Sequence, residues 1–304
     1  MTDRDMTDRD MTDRDEQVSP VGPLVPTGQI PPWMRAVTGN VGAVTDAVLN
    51  RGGDRTRWAS MIGRNRRAAA VLVLISGSWD EAPDHPGGLP ADAEILLTER
   101  AATLRQHSGQ VAFPGGAMDS GDDYPVGTAL REANEETGLI ADGVHVVANL
   151  PSFPVPVSAF DVIPVLAHWE RPGDVQVMDT AETSRVARVN LRSLLAPENR
   201  FQVQRKVLGA SAYRGPAFMV DGLLVWGFTG GLIAAISEVS GWDVPWDKSD
   251  VRPLEDAIEA AAAGSTASEV SDAGSPQMTG HSAVLPEAMH QAVGDPDRGE
   301  GGHR

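Results

Sequence analysis

The alternation of apolar and polar positions divides the chain into a patterned middle and two polar ends. Apolar residues recur at roughly helical spacing over 33–49, which predicts one or two short helices. The run AAAVLVLISG, residues 68–77, is continuously apolar and rich in β-branched side chains, so it predicts a buried strand. Residues 93–100 predict the partner of that strand.

The same pattern continues through the second half of the middle. It predicts a helix over 125–137, strands at 144–150 and 160–169, a strand running into a short helix over 184–195, a hairpin turning at Asp221-Gly222, and a helix ending at Gly241. Strands and helices therefore alternate without forming a regular repeat. This order indicates an α+β fold in which a mixed β-sheet is sandwiched between helices, an α/β/α arrangement.

Both ends of the chain lack this pattern. The pentapeptide MTDRD occurs three times at the start, and Pro and Gly continue through residue 32, so we expect a disordered leader over 1–32. Large apolar residues become rare beyond residue 247, which predicts a disordered acidic tail over 248–304 with a transient helix near its start. Between the ends we expect short helices within 33–61 and the main domain over 62–247.

Composition narrows the chemistry. A hydrophobic content of 41% is enough for a substantial core, and the lack of cysteine excludes disulfides, thiolate metal sites and a cysteine nucleophile. The net charge of −17 argues against nucleic acid and anionic membrane surfaces as partners. No basic start precedes an apolar run, and the longest apolar run, 223–236, is too short to span a bilayer. We therefore expect a cytoplasmic protein.

Three glutamates on the predicted helix 125–137 are the main chemical candidates. Glu132, Glu135 and Glu136 stand at i, i+3 and i+4, which stacks their carboxylates on one helical face. Such oxygen ligands suit Mg²⁺ or Mn²⁺, and Gly115 in the preceding loop lets a backbone carbonyl approach the same cation. Arg131 can hold one of these carboxylates in a fixed orientation. The alternative is that the glutamates form an ordinary solvated face.

A longer motif surrounds these glutamates. Gly116 is followed by an acid, Asp122, and then by REANEETGL at residues 131–139. This series resembles the box of the Nudix hydrolases, with Asp122 in place of the usual Glu and eight residues instead of seven before Arg131. Upstream, LLTERAATLRQHSGQVAFPGG at residues 96–116 resembles the signature of the coenzyme A pyrophosphatase branch, except that Ala101 stands where Ser is usual. Members of that branch commonly share both departures in the box.

The resemblance implies a Nudix fold and a metal-dependent hydrolase acting on a small-molecule substrate. The reaction would cleave the diphosphate of coenzyme A or an acyl-coenzyme A to adenosine 3',5'-bisphosphate and (acyl-)4'-phosphopantetheine. It implies Glu132 and Glu136 as principal ligands of Mg²⁺ or Mn²⁺, with Glu135 as a third ligand or the base. Arg131, Glu132 and Glu135 are accordingly the candidate catalytic residues, and which carboxylate is the base stays open.

Substrate contacts follow from the same resemblance. Arg100, Arg105 and His107 would supply positive charge or hydrogen-bond donors to phosphates, and Glu182 is the candidate for a further acid from a later loop. Surface ion pairs for the arginines, a capping or solvent-facing role for His107 and a solvated Glu182 are the alternatives. Other substrates such as ADP-ribose or NADH, or a nucleotide-binding module without catalysis, are the competing functions. A homodimer is compatible with the resemblance, although no interface pattern is evident in the sequence.

Overall fold

The computed structural model of the chain describes residues 20–51, 66–101, 109–155, 159–207 and 210–272. The strands in these ranges are β1 (Gly22–Pro23), β2 (Arg67–Ser76), β3 (Glu94–Arg100), β4 (Val111–Ala112), β5 (Gly115–Ala117), β6 (Val144–Asn149), β7 (Phe153–Val155), β8 (Phe160–Trp169), β9 (Thr183–Asn190), β10 (Arg200–Val207), β11 (Ala210–Val220), β12 (Leu223–Val225) and β13 (Val251–Pro253). The helices are α1 (Arg35–Gly39), α2 (Val41–Arg51), α3 (Val126–Thr137), α4 (Leu191–Leu195), α5 (Gly227–Ser240) and α6 (Leu254–Asp272).

The larger of the two sheets is mixed. Its strand order is β1-β6-β8-β2-β3-β4, and β5, β7 and β9 pair with β2, β8 and β3 respectively. Strands β2 and β8 run parallel over ten residue pairs, from Arg67 opposite Phe160 to Ser76 opposite Trp169. The other pairings of this sheet are antiparallel. The parallel pair places β2 in the middle of the sheet, where both of its faces are covered.

Burial of both faces explains the continuously apolar sequence of β2. Leu72 and Leu74 lie in the core beneath α3, together with Ala129 and Ala133 of that helix. The alternate residues of β2 point to the opposite face and join a second core that includes residues from α1, α2 and α5. The α+β fold, with a mixed sheet between helices, is therefore confirmed.

The second sheet corrects the expectation for the start of the acidic tail. Its strand order is β12-β11-β10-β13, and β13 runs parallel to β10 with Gln202 opposite Val251. Helix α6 follows directly and buries Leu254 and Ala257 against Phe201 and Val203. Residues 251–272 are thus structured rather than disordered, because small apolar side chains suffice to cover this narrow sheet. Residues 273–304 of the expected tail lie outside the described residues.

The expected disordered leader needs a similar correction. Strand β1 pairs antiparallel with β6, with Gly22 opposite Asn149. Ile30 is 1% exposed and joins the core shared with Trp33 and Met34. The buried Ile30, the β1 ladder and a hydrogen bond from the Leu24 N–H to the Val147 carbonyl hold this Pro-rich segment on the domain, so residues 20–32 are structured. The MTDRD repeats lie outside the described residues.

The segments expected as short helices and as the main domain can be compared only in part. Helices α1 and α2 lie in the segment 33–61, of which residues 52–61 are not described, and the elements from β2 to α5 lie within 62–247. In the described part of the chain, no helix is long and apolar enough to cross a membrane.

Candidate active site

Helix α3 carries the glutamates and is fixed at both ends. Pro125 precedes its first residue, and Gly138 ends it in the left-handed conformation at φ 69°, where the Gly138 N–H donates to the Asn134 carbonyl. Ala129 and Ala133 face the sheet and are fully buried. The small alanine side chains bring the helix close to β2, so the residues on its flank lie against the neighbouring strand β5.

Two glycines in β5 provide space for the glutamates. Strand β5 pairs antiparallel with β2, with Gly115 opposite Val71. A Cβ atom at Gly115 would collide with the Ala70 carbonyl oxygen, and one at Gly116 would lie 2.5 Å from the carboxylate atoms of Glu132. Gly115 thus permits close strand packing, whereas Gly116 leaves room for the Glu132 carboxylate.

Glu136 is the most enclosed of the three carboxylates. The Gly115 N–H donates to Glu136 Oε2 at an N–O distance of 3.2 Å. Burial raises the pKa of Glu136 to about 7, the Gly115 hydrogen bond and Arg100 oppose this rise, and the charges of Glu132 and Glu182 add to it. A bound cation would favour the charged form of this carboxylate and lower its pKa.

Glu132 lies one helical turn before Glu136 and is half-buried. Burial raises its pKa, and a hydrogen bond from Arg131 acts in the opposite direction. Glu135 differs, because its side chain is 58% exposed and its carboxylate contacts Arg131 instead of the glycines. The structure therefore brings Glu132 and Glu136 together at Gly115 and Gly116, and it leaves Glu135 at the outer rim.

Arg131 links the glutamates to the loop before the helix. Its Nη1 donates to Glu132 Oε1 at 3.0 Å and to Glu135 Oε2 at 3.2 Å, and its Nη2 donates to the Ala117 carbonyl at 3.0 Å. Its Nε and Nη2 donate to the two oxygens of Asp122, each at 3.0 Å. This bidentate pair raises the pKa of Arg131 and holds the pKa of Asp122 far below its usual range. Asp122, read from the sequence only as a departure from the box, is the main partner of Arg131.

Thr128 is a member of this network that the sequence analysis did not identify. It is fully buried on α3, and its Oγ1 donates to Asp122 Oδ2 at 2.8 Å. Thr128 lies at an unspecified position of the motif, between Asp122 and Arg131, so the sequence offers no local signal for the contact.

Two of the four candidate substrate residues, Arg100 and Glu182, lie in the described part of the chain. Arg100 ends β3 opposite Thr183 at the start of β9, and the Ala101 N–H donates to the Glu182 carbonyl at 2.8 Å. The Nε of Arg100 is buried and has no hydrogen-bond partner among the described residues. Both Arg100 and Glu182 influence the pKa of Glu136. Arg100 and Glu182 are therefore near the glutamates. Arg105 and His107 lie outside the described residues.

The oxygen donors fit a small hard cation. Among the described residues, no three Asp, Glu or His side chains converge closely enough to make a complete metal site. Mg²⁺ does not require one, because it usually keeps several waters and uses one or two carboxylates together with substrate phosphates. The enclosed carboxylates of Glu132 and Glu136 beside the backbone of Gly115 match that requirement. The Glu132 carboxylate occupies the space that a Cβ at Gly116 would fill.

The middle of the chain matches a known protein family. Residues 66–209 match the family model described as NUDIX domain. The chain therefore contains a Nudix domain, and the family and fold expected from the sequence are confirmed.

Two curated relatives and one solved structure are similar to part of the chain. The chain is 48% identical over 103 residues to "Uncharacterized Nudix hydrolase NudL" of Cronobacter sakazakii, covering 34% of this chain and 46% of that protein. The protein with the same description from Citrobacter koseri is 46% identical over the same shares. The chain thus spans less than half the length of these curated relatives. The solved structure of a Nudix hydrolase from M. smegmatis, RenU, is 26% identical, covers 42% of this chain and 73% of that one, and superposes with a TM-score of 0.33.

Proposed function

We propose that the chain hydrolyses the diphosphate bond of a nucleoside diphosphate derivative, and that this derivative is coenzyme A or an acyl-coenzyme A. The observation that carries the proposal is the position of Glu132 and Glu136, one helical turn apart, with both carboxylates against the backbone of Gly115 and Gly116. Two enclosed carboxylates beside a tightly packed glycine pair have no role in the hydrophobic core. Their burial raises both pKa values and is compensated when a cation binds.

Glu132, Glu136 and the Gly115 carbonyl would hold Mg²⁺ or Mn²⁺, and Glu135 would be a third ligand or the base. When bound, the cation neutralises charge on the diphosphate oxygens and lowers the pKa of water. The chain itself orients the ligands. Arg131 holds Glu132 and Glu135 through one nitrogen, Nη1, so that the two carboxylates keep a fixed separation.

Arg100 supplies the substrate side of the proposed site. Within the part of the chain that the structure describes, its buried Nε has no hydrogen-bond partner. A guanidinium in this state suits a phosphate oxygen, which accepts strong charge-assisted hydrogen bonds. Glu182 lies in the turn directly before the neighbouring strand β9 and would add a further acid next to Glu136. Arg105 and His107, which lie in sequence between β3 and β4, are proposed to contact the phosphates as well.

The choice of coenzyme A rests on the signature at residues 96–116. Its first part forms β3 and its last part forms β4 and β5, so both ends of the signature flank the glutamates. ADP-ribose or NADH is the alternative substrate, since the two enclosed carboxylates serve any diphosphate of this class.

A substrate panel with two metals tests the proposal. Purified protein would be incubated with coenzyme A, ADP-ribose and NADH, each with Mg²⁺ and with Mn²⁺. We expect coenzyme A to be cleaved fastest and Glu136→Gln to reduce turnover at least about 100-fold. Faster cleavage of ADP-ribose would contradict the coenzyme A assignment. No turnover of any of the three would contradict hydrolysis, and full activity in Glu136→Gln would contradict the proposed metal ligands.

A further inference from the structure

A chain of hydrogen bonds connects a buried hydroxyl to the glutamates. Thr128 Oγ1 donates to Asp122 Oδ2 at 2.8 Å, and the Asp119 N–H donates to the same oxygen at 2.9 Å. The Asp122 side chain is only 10% exposed and faces Arg131. Arg131 holds both oxygens of this carboxylate. The Thr128 hydroxyl adds a hydrogen bond from the helix to Oδ2, opposite the one from the loop, and so helps to fix the rotation of the Asp122 carboxylate.

Arg131 transmits this orientation to the glutamates. A bidentate pair requires the carboxylate and the guanidinium to be nearly coplanar, so the rotation of Asp122 sets the plane of Arg131. In that plane Nη1 reaches Glu132 Oε1, and Nη2 also reaches the Ala117 carbonyl of β5. Glu132 is thereby held against Gly116.

We propose that Thr128 is a positioning residue of this site, acting through Asp122 and Arg131 to fix the carboxylate of Glu132. The inference rests on the proposed function in one respect, namely that Glu132 binds the catalytic cation. Thr128 itself touches neither the cation nor the substrate. Its described hydrogen bond is to Asp122, which sets it apart from buried threonines whose hydroxyls bond to the backbone of their own helix.

Thr38 is such a threonine and provides a matched control. It is 2% exposed on α1, and its Oγ1 donates to the Met34 and Arg35 carbonyls at 3.2 Å each. Replacing Thr128 or Thr38 by Val keeps the shape of the side chain and removes one buried hydroxyl. Both variants should lose stability, and only Thr128→Val should change the site.

The experiment compares Thr128→Val, Thr128→Ser and Thr38→Val with the wild-type protein at a temperature well below unfolding. Three quantities are measured: kcat and KM for coenzyme A at saturating Mg²⁺, the Kd for Mn²⁺ alone, and the water-exchange rate of the Arg131 Nε–H by NMR. For Thr128→Val we expect kcat to fall about 10-fold, since a lost hydrogen bond to a charged group loosens the network, with little change in KM. We expect weaker Mn²⁺ binding and faster Nε–H exchange in the same variant.

Thr128→Ser should restore all three quantities to within about twofold, because it keeps the hydroxyl, and Thr38→Val should leave them unchanged. Wild-type kcat, Mn²⁺ affinity and exchange rate in Thr128→Val would overturn the proposal. So would a failure of Thr128→Ser to restore them. If Thr128→Val does not fold, Thr128→Ala takes its place with the same expected and contradicting outcomes. If the wild-type protein does not cleave coenzyme A, the proposed substrate fails, and the Mn²⁺ and NMR measurements still decide the role of Thr128.

Discussion

The backbone N–H of Gly115 donates a hydrogen bond to the carboxylate of Glu136 across the contact between β5 and α3. This contact joins the glycine pair to the glutamate helix, as does the packing of the Glu132 carboxylate against Gly116. One hydrogen bond does not offset the burial of a charged carboxylate, so the pKa of Glu136 stays raised, at about 7. The site is therefore destabilised when it is charged and has no cation.

The first prediction concerns stability against pH without metal. Below pH 4.5, Glu136 is protonated in both the folded and unfolded protein and contributes nothing to the pH dependence. As pH rises from 4.5 to about 7, the unfolded state loses this proton first, so the folded state loses stability. At pH 8 in EDTA, Glu136→Gln should raise the free energy of unfolding by on the order of 1–3 kcal/mol.

Urea unfolding at pH 4 and pH 8 checks this prediction. At pH 4 the wild-type protein and Glu136→Gln should have nearly equal stability. A Gln variant that is less stable than the wild type at pH 8 in EDTA would mean that the Glu136 carboxylate is not buried at a cost.

The second prediction concerns the different roles of Gly115 and Gly116. Gly116→Ala would place a methyl group 2.5 Å from the Glu132 carboxylate, which can move because it ends a flexible side chain. We expect a folded protein whose turnover of coenzyme A falls at least about 10-fold. In Gly115→Ala the new methyl group would instead collide with the backbone of β2, at a position where Gly115 has a φ of 157°. This substitution should cost about 3 kcal/mol or more in stability. Circular dichroism and activity measured on both variants test the distinction, and normal turnover by Gly116→Ala would contradict it.

The elements that the sequence predicts well are those with their own pattern. Strand β2 and helix α5 have long apolar runs, and both lie where the pattern indicates. The sequence does not predict strand β10. Phe201 and Val203 alternate with polar residues there, but the charged and amide side chains around them obscure the pattern. Two- and three-residue strands such as β1 and β13 depend on their partners and have no periodicity of their own.

The sequence likewise predicts some features of the candidate site and not others. Spacing places the three glutamates on one side of α3, but it does not tell which of them is enclosed. That depends on β5, which the sequence does not predict as a strand. Glu136 meets the Gly115 N–H, whereas Glu135, the next residue along the chain, points to the rim. Likewise, the role of Asp122 follows from its contact with Arg131 across a loop, which no local pattern encodes.

The third prediction concerns His168, a buried imidazole away from the glutamates. It is 2% exposed, its Nε2 lies 3.1 Å from the Gly77 carbonyl, and the rings of Trp33 and Trp79 contact it edge-on. Burial lowers its pKa below the usual 6.5. The unfolded state therefore takes up this proton first as pH falls below 6.5, so folded-state stability declines until the folded pKa is passed.

Replacing His168 by Gln keeps a donor for the Gly77 carbonyl and removes the titration. The variant should show a smaller loss of unfolding free energy between pH 7 and pH 5 than the wild-type protein. Identical pH dependence in the two proteins would show that His168 does not resist protonation.

The fourth prediction compares a buried and an exposed ion pair. The Arg200 side chain is 2% exposed, pairs with Asp243 at 2.6 Å and lies over the ring of Trp246. Asp243→Asn removes the negative charge of this pair beside the buried guanidinium and should cost about 2–4 kcal/mol. Asp250→Asn, in the exposed pair with Arg252, should cost less than about 1 kcal/mol. Thermal unfolding of both variants tests this, and equal losses would contradict it.

The central claim is that Glu132 and Glu136 support cleavage of the coenzyme A diphosphate, and the identity of the products tests it most directly. Coenzyme A would be incubated with the wild-type protein and with Glu136→Gln in Mg²⁺, and the products identified by mass spectrometry. The account predicts adenosine 3',5'-bisphosphate and 4'-phosphopantetheine in equal amounts from the wild-type protein and neither from the variant. Intact coenzyme A after incubation with the wild-type protein, or release of only the 3'-phosphate, would contradict it.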